Sequence, residues 1–136
     1  KNYYGIKGYL VTIMSSDESQ LAGELSAGAG WIGGTDEEEE GVWKWDSGPE
    51  KGIVFWNGNI NGSTPNFAYW NNNEPNNCCQ GEDYAHITDN SVGIIGSGMT
   101  FPIRQVQVAI FRPRDMSWSM AVCQVTLKSI SRPVHN

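Results

Sequence analysis

The sequence has few basic residues and no long apolar run. Lys and Arg together number 9 against 15 Asp and Glu, and the net charge of −6 argues against a nucleic-acid-binding surface. No apolar stretch approaches the roughly 18 residues that would suggest a membrane-spanning helix, and no signal peptide is visible. The 136 residues suffice for one domain. The chain begins at Lys1 without an initiator Met, so we expect it to be part of a larger chain.

Cysteines are also few, and two of them are adjacent. Cys78 and Cys79 make a poor disulfide framework, because neighbouring cysteines rarely bridge each other. A zinc site built from Cys78, Cys79 and His86 lacks a C-x-x-C spacing and is not favoured. His86 alternates with Tyr84 and Thr88, which indicates a strand residue rather than a metal ligand.

Tryptophan, glycine and turn signals are abundant by contrast. Six Trp, sixteen Gly and few charges are typical of a compact, loop-rich, secreted binding domain. Ser15 and Glu18 form a capping-box pattern that predicts a helix to about Leu25, with Leu21 and Leu25 facing the core. Gly8 is expected to close an earlier, truncated helix. Strands are predicted at residues 9–13, 31–34, 42–45 and 84–88.

Three further stretches have both a structural and a functional interpretation. The acidic run over residues 36–40 can bind a metal ion, but such runs are more often solvated turns. Trp43 and Trp45 share one face of a strand, where core packing is favoured over a sugar-stacking platform. Residues 46–66 carry repeated Gly, Pro and Asn turn signals and are predicted to form a long loop, a kind of segment that often carries function.

The most informative segment is residues 69–88, which is too rich in Asn, Gly and Pro to be a helix or strand throughout. It contains Glu74-Pro75-Asn76, followed by Glu82 eight residues after Glu74. Two carboxylates and a carboxamide at this spacing supply the oxygen ligands that a hard cation such as calcium requires. Pro75 fixes the backbone between the two flanking ligands, and a cis bond is compatible with it. The alternative is a solvated, Asn-rich turn.

Together these pieces resemble a C-type lectin domain, of the cysteine-poor kind found in large bacterial surface and secreted proteins. The resemblance covers residues 5–97, about two thirds of the chain. The matching motifs, in family order, are G-Y-L-V-T-I at residues 8–13, the helix that follows, W-I-G-G at 31–34, G-V-W-K-W at 41–45, F-A-Y-W at 67–70, E-P-N at 74–76 and G-E-D-Y-A-H-I at 81–87.

The resemblance implies an α+β fold in which two helices flank small antiparallel sheets and a long irregular loop region carries the site. It implies that Glu74, Asn76 and Glu82 bind calcium and, through it, a carbohydrate. The E-P-N triplet resembles mannose-type members, so mannose-, glucose-, fucose- or N-acetylglucosamine-type glycans are the expected partners. The expected role is a calcium-dependent lectin module of an extracellular or cell-surface protein, used in adhesion or substrate targeting.

The resemblance stops after Ser97. The family's Trp-Asn-Asp triplet, which supplies the remaining calcium ligands, is absent, and so is its last strand. Reading the codons of the tail one nucleotide earlier can restore Trp-Asn-Asp at positions 98–100, so we interpret residues 98–136 as a frameshifted tail attached to a domain at 1–97. Codons that forbid this second reading would reject the idea. The competing interpretation is a divergent tail in which Val106, Val108 and Ile110 form a replacement strand.

Loss of the Asn-Asp pair has two expected consequences. Calcium takes about 6 to 8 oxygens, so calcium and sugar binding should be weakened or absent in this chain. A missing last strand would also leave a sheet edge unpaired.

Two other functions compete with a lectin. One is a metal-independent protein- or surface-recognition domain on the same fold. The other is a glycosidase that uses Glu74 and Glu82 as its carboxylate pair. We do not expect the chain to be an enzyme. Glu74 and Glu82 both match metal-ligand positions, and the sequence contains no separate group of acid, base and nucleophile residues.

Overall fold

The computed structural model describes residues 2–3, 6–79, 81–101, 108–113 and 122–123. Over these residues the chain forms nine strands and one helix, in keeping with the predicted α+β class. The strands are β1 Asn2–Tyr3, β2 Ile6–Leu10, β3 Ala29–Thr35, β4 Val42–Trp45, β5 Val54–Asn57, β6 Tyr84–Thr88, β7 Gly98–Phe101, β8 Val108–Pro113 and β9 Val122–Cys123. The helix is α1 Ser16–Leu25. The resemblance implied two helices; the described part of the chain contains one. It contains no helix long and apolar enough to cross a membrane.

The predicted cap starts α1. The Ser15 hydroxyl accepts a hydrogen bond from the Glu18 N–H at 3.3 Å, and a Glu18 carboxylate oxygen accepts one from the Met14 N–H at 2.7 Å. Two backbone donors at the helix start are thereby satisfied. The carboxylate reaches one residue further back than the usual capping box, because it bonds Met14 rather than Ser15.

Small residues, rather than leucines, form the buried face of α1. Ser19, Ala22 and Gly23 are buried, whereas the predicted core residues Leu21 and Leu25 are only partly buried. The backbone of Gly96 lies so close to the helix that a Cβ at Gly23 would be 2.2 Å from its nitrogen. The prediction for the two leucines is therefore wrong in part, because close backbone approach takes the place of leucine packing.

Strand β3 is the centre of the sheet. Its first residues pair antiparallel with β6 and parallel with β8, and its last residues pair antiparallel with β4. The main strand order is β1-β2-β8-β3-β4-β5, with β7 joined to β6 and β9 joined to β8. In the β6–β7 ladder Thr100 is opposite Ala85. This register brings β7 next to the segment that precedes β6.

Three sequence predictions about strands need correction. Residues 46–66 are not all loop, because β5 pairs with β4 and places Trp56 opposite Trp43; turn signals on both sides hid this short apolar run. Gly8 lies within β2 instead of ending a helix. The strand predicted at residues 9–13 overlaps β2 only at Tyr9 and Leu10, because the chain leaves the sheet there.

The described residues after Ser97, at 98–101, 108–113 and 122–123, join the sheet. β7 pairs with β6, and β8 pairs with both β2 and β3. The expected unpaired edge is therefore wrong for β2, whose partner is β8. Val108 and Ile110 lie in β8, as the replacement-strand interpretation predicts, while Val106 lies outside the described residues. The division at residue 97 and the frameshift remain predictions, which the encoding DNA would test.

Aromatic side chains fill the core. Trp43 and Trp45 are each 2% exposed, which confirms the core interpretation. Trp45 stacks on Phe55 with ring centroids 4.2 Å apart, and Trp70 meets Trp43 edge-on at 5.1 Å. Trp70 also covers Gly98 so closely that a Cβ there would be 2.8 Å from its ring. The core thus holds Trp70, which precedes the loop at residues 71–83, against Gly98, the first residue of β7.

Replacing Gly23 by alanine is expected to destabilise the fold, although alanine is the better helix former. The added Cβ must displace α1 or the Gly96 segment. We expect the free energy of unfolding in urea to fall by about 1–3 kcal/mol, the range for overpacking. Glu24→Ala, at an exposed position of the same helix, should change it by less than about 0.5 kcal/mol. Unchanged or greater stability of Gly23→Ala would contradict this packing.

Candidate functional site

The loop that carries the predicted ligands is anchored to β7. The Asn71 N–H donates to the Gly98 carbonyl at 2.7 Å. The peptide bond before Pro75 is cis. Asn73 and Asn77 have φ values of 63° and 48°, a conformation that Asn tolerates better than most other residues. These turns fold the loop back on itself beside β7, between the Asn71 contact with Gly98 and the start of β6.

The three predicted site residues come together in one hydrogen-bonded cluster. The Asn76 side-chain N–H donates to Glu74 Oε1 at 2.7 Å. The Thr100 hydroxyl lies 2.6 Å from Glu74 Oε2 and 2.8 Å from Glu82 Oε2, and the Thr100 N–H donates to Glu74 Oε2 at 3.1 Å. Glu74 and Glu82 are 9% and 6% exposed, whereas Asn76 is exposed. The cluster thus combines two buried carboxylates with an amide at the surface.

Sequence reasoning missed Thr100, which links the two carboxylates. It is 3% exposed, and its position depends on the pairing of β7 with β6. No local pattern marks such a residue, because a single threonine has no ligand spacing. One signal was available: the re-read tail has Asp at this position.

Burial and like charge both act on the carboxylate pair. Desolvation raises the pKa of Glu74, the hydrogen bonds from Thr100 lower it, and the nearby Glu82 carboxylate raises it again. The net direction is upward. Because a hydroxyl carries one hydrogen, Thr100 Oγ1 can donate to only one of the two carboxylates at a time. A proton or a cation between the two carboxylates would relieve the repulsion that remains.

Cys78 and Cys79 form a disulfide, which contradicts the expectation that adjacent cysteines would not bridge. Both residues are exposed, and they lie between Asn76 and Glu82 along the chain. The Cys78 N–H donates to Asn76 Oδ1 at 2.8 Å, and the Gly81 N–H donates to the Cys78 carbonyl at 3.2 Å. The disulfide is therefore part of the turn that positions two of the predicted ligands.

His86 stays in the sheet, as its alternation predicts. It lies in β6, is 2% exposed, and its ring centroid is 3.6 Å from that of Trp31. Desolvation lowers its pKa to about 3. The metal-ligating atoms that gather around the cysteine pair come from Cys78, Cys79 and Glu82, and His86 is not among them.

Asp36 is a third buried carboxylate near the loop. The Gly41 N–H donates to its Oδ2 at 2.9 Å, while its buried Oδ1 has no hydrogen-bond partner among the described residues. Desolvation raises its pKa to about 6, against the effect of the Gly41 hydrogen bond and with the negative charge of Glu40 adding to the shift. Asp36, Glu40 and Asn77 line one small cavity. The solvated-turn interpretation therefore fits residues 37–40, which are exposed, but is wrong for Asp36.

The chain resembles two proteins of known sequence over part of its length, although no family model matches it. It is 41% identical over 93 residues to halomucin of Haloquadratum walsbyi, a match that covers 66% of this chain and 1% of halomucin. It is 37% identical over 57 residues to the hepatic lectin of Gallus gallus, covering 42% of this chain and 22% of that lectin. The chain therefore spans only a small part of both relatives.

Solved structures show the fold. An EPNH mutant of CEL-I superposes with a TM-score of 0.54 at 23% identity, over 74% of this chain and 63% of that one. The C-type lectin CEL-I from Cucumaria echinata superposes with a TM-score of 0.50 at 22% identity, over 71% of this chain and 61% of that one. The resemblance to C-type lectin domains is thus confirmed at the level of the fold. The chain has the C-type lectin-like fold.

Proposed function

We propose that this chain is a calcium-dependent carbohydrate-binding module of the mannose-type class. The observation that carries the proposal is the convergence of Glu74, Asn76 and Glu82 in one cluster at the end of the sheet. The C-type lectin-like fold supports it, as does the lectin name of one relative. The chain also contains the letters E-P-N that occur in the name of the CEL-I mutant.

The chemistry of the cluster suits a hard cation. Calcium is bound by carboxylate and amide oxygens, and Glu74, Asn76 and Glu82 offer these groups from two turns of one loop. A cation between the two buried carboxylates would offset both their repulsion and their desolvation. Neighbouring hydroxyls of a sugar can then complete the shell of the cation and exchange hydrogen bonds with the exposed Asn76 amide. The assignment of a carbohydrate ligand is the coarser part of the proposal. The assignment to the mannose-type class is the finer part, and it rests on the E-P-N triplet.

Calcium affinity should be low, because the ligand set is short. Three side chains supply fewer oxygens than the 6 to 8 that calcium takes, and water or sugar must provide the rest. Thr100 lies where a further carboxylate would strengthen the site, and its hydroxyl contributes no charge.

A second cation position is supported by Asp36. Its unpartnered Oδ1 is buried, and Glu40 and Asn77 line the same cavity. Asn77 follows Asn76 directly, so an ion here would stiffen the loop that holds the sugar site. This position corresponds to the metal-binding interpretation of the acidic run at residues 36–40.

An extracellular or cell-surface location, with a role in adhesion, is part of the proposal. The Cys78–Cys79 disulfide supports it, because disulfides persist in oxidising compartments.

A second candidate function is recognition of a protein or surface without metal. The observation that favours it is the hydrogen bonding of Glu74 and Glu82 to Thr100, which partly satisfies both carboxylates with no cation. Chelator sensitivity of binding separates the two functions.

Glycan binding is expected to require calcium. On a glycan array, we expect binding to mannose-, glucose-, fucose- or N-acetylglucosamine-type glycans that a chelator abolishes. Calorimetry should give a calcium dissociation constant of about 10⁻⁴–10⁻³ M, as in weak extracellular sites. Glu82→Gln should weaken calcium at least about tenfold, because it removes a charged ligand. Glu24→Gln, which makes the same change on the exposed face of α1, should have no effect.

Three outcomes would count against this function. Glycan binding that survives the chelator, or protein binding without any glycan binding, would favour the metal-independent alternative. Turnover of a chromogenic glycoside would favour the glycosidase.

Thr100→Asp is expected to tighten calcium binding at least about tenfold, because it adds a carboxylate between Glu74 and Glu82. The same variant should be less stable than the parent without calcium, since a third buried negative charge has no partner. Thr100→Asn adds a neutral oxygen and should gain less. Calorimetry and thermal unfolding with and without calcium would measure both effects. Equal calcium affinity in all three proteins would place the ion away from Thr100.

Stability without calcium should depend on pH through Asp36. Its folded pKa of about 6 exceeds the ordinary value of 3.8, so its contribution to stability is fully present below about pH 4 and is lost as pH rises to about 6. The loss is at most about 3 kcal/mol. Asp36→Asn should remove this pH-dependent component. The component is measured as the difference in the free energy of unfolding in urea between the parent and the variant. A difference is needed because buried His86 changes the stability with pH in the opposite direction. A difference that stays constant from pH 4 to pH 7 would contradict the assigned burial.

A further inference from the structure

A second set of potential ligand atoms, which combines two sulfurs with a carboxylate oxygen, overlaps the proposed calcium site at Glu82. The two cysteine sulfurs and one carboxylate oxygen of Glu82 are all within 4.8 Å of one another. The cysteines are exposed and Glu82 is buried, so external reagents can reach the sulfurs while the carboxylate is fixed from below by its contact with Thr100. In the disulfide form the sulfurs bond to each other and offer no thiolate.

We propose that reduction of the Cys78–Cys79 disulfide opens a site for a thiophilic divalent cation, such as zinc or cadmium, formed by both thiolates and the Glu82 carboxylate. We further infer that this cation competes with calcium, because Glu82 belongs to both ligand sets. The competition rests on the proposed function, whereas the thiolate site does not.

The reduction balances as a two-electron step. An external dithiol attacks one sulfur, the Cys78–Cys79 bond breaks through a mixed disulfide, and the second thiol of the reagent displaces the protein thiol. The protein gains two electrons and two protons, and the reagent leaves as its own disulfide. Binding of the cation then releases the two thiol protons, because the thiolate is the ligand.

The geometry suits a tetrahedral ion. With zinc–sulfur bonds of about 2.3 Å, two sulfurs on one zinc lie about 3.8 Å apart, which is farther than the two bonded sulfurs are from each other now. Rotation of two exposed side chains can provide this separation once the covalent bond is broken. Two sulfurs and one carboxylate oxygen leave a fourth position for water. Soft sulfur ligands select zinc or cadmium over calcium, which prefers oxygen.

Glu82 couples the two sites. Its carboxylate touches Thr100 and, through it, Glu74, while its backbone N–H donates to Asn77 Oδ1 at 3.1 Å. A carboxylate drawn toward the sulfurs is lost to calcium. Reduction alone would also loosen the turn in which Cys78 bonds to Asn76. In this proposal the oxidised loop binds calcium. The reduced loop binds zinc or cadmium instead, and Glu82 is then no longer available to calcium.

Cadmium binding tests the thiolate site directly. The full chain would carry Cys123→Ser, so that only the adjacent pair can supply thiolates, and would be reduced with a water-soluble phosphine, which takes up the oxygen of water and is removed before the metal is added. We expect one cadmium ion per chain, detected by calorimetry and by its thiolate charge-transfer absorption. The oxidised protein and the Cys78→Ser/Cys79→Ser variant should show neither signal, and Glu82→Gln should bind at least about tenfold more weakly. Circular dichroism would confirm that each variant is folded.

Calcium titration tests the competition. The reduced protein should bind calcium at least about tenfold more weakly with zinc present than without it. The calcium affinity of the Cys78→Ser/Cys79→Ser variant should be the same with and without zinc. Equal cadmium affinity of the parent and Glu82→Gln, or no cadmium binding by the reduced parent, would overturn the thiolate site. Calcium affinity unaffected by zinc would overturn the competition. If the oxidised protein binds no calcium, the proposed function fails while the cadmium result still decides the thiolate site.

Discussion

The site depends on two buried carboxylates that share a single hydroxyl. Glu74 and Glu82 come from different turns of one loop, and Thr100 comes from a strand that follows that loop. Two like charges this close are stable only if something positive or proton-donating lies between them. The hydroxyl and N–H of Thr100 meet part of this need, and a cation would meet the rest. On the proposed function, the balance between these partners would set the affinity of the site for calcium.

The aromatic core determines where that hydroxyl lies. Trp70 packs between the ring of Trp43 and the backbone of Gly98, so the residue that leads into the loop and the residue that starts β7 are held together. Backbone hydrogen bonds from Asn71 and Gly98 join the same two segments. Two residues beyond Gly98, Thr100 reaches the carboxylates. Packing of the Trp70 and Trp43 rings thus positions the polar contact between Thr100 and the two carboxylates.

One short loop offers both hard and soft ligands. Carboxylate and amide oxygens from Glu74, Asn76 and Glu82 suit calcium, while the sulfurs of Cys78 and Cys79 become ligands only when their bond is broken. Glu82 lies next to both groups. On the two proposals above, this loop would respond to its redox environment as well as to a bound cation. Asp36 adds a third ionisable element, because its buried Oδ1 has no partner among the described residues and Asp36 lines a cavity together with Asn77 of the same loop.

The amino-acid sequence by itself determined the features that depend on near neighbours. The cap at Ser15, the strands around Trp31, Trp43 and His86, and the E-P-N turn follow from short-range steric and hydrogen-bonding preferences. The tertiary structure alone decided the position of Thr100, the β2–β8 pairing, the strand character of β5 and the burial of Asp36. The Cys78–Cys79 disulfide likewise went against local expectation. The physical reason is register: which distant strand lies opposite another is set by packing of the whole core, and no local pattern encodes it.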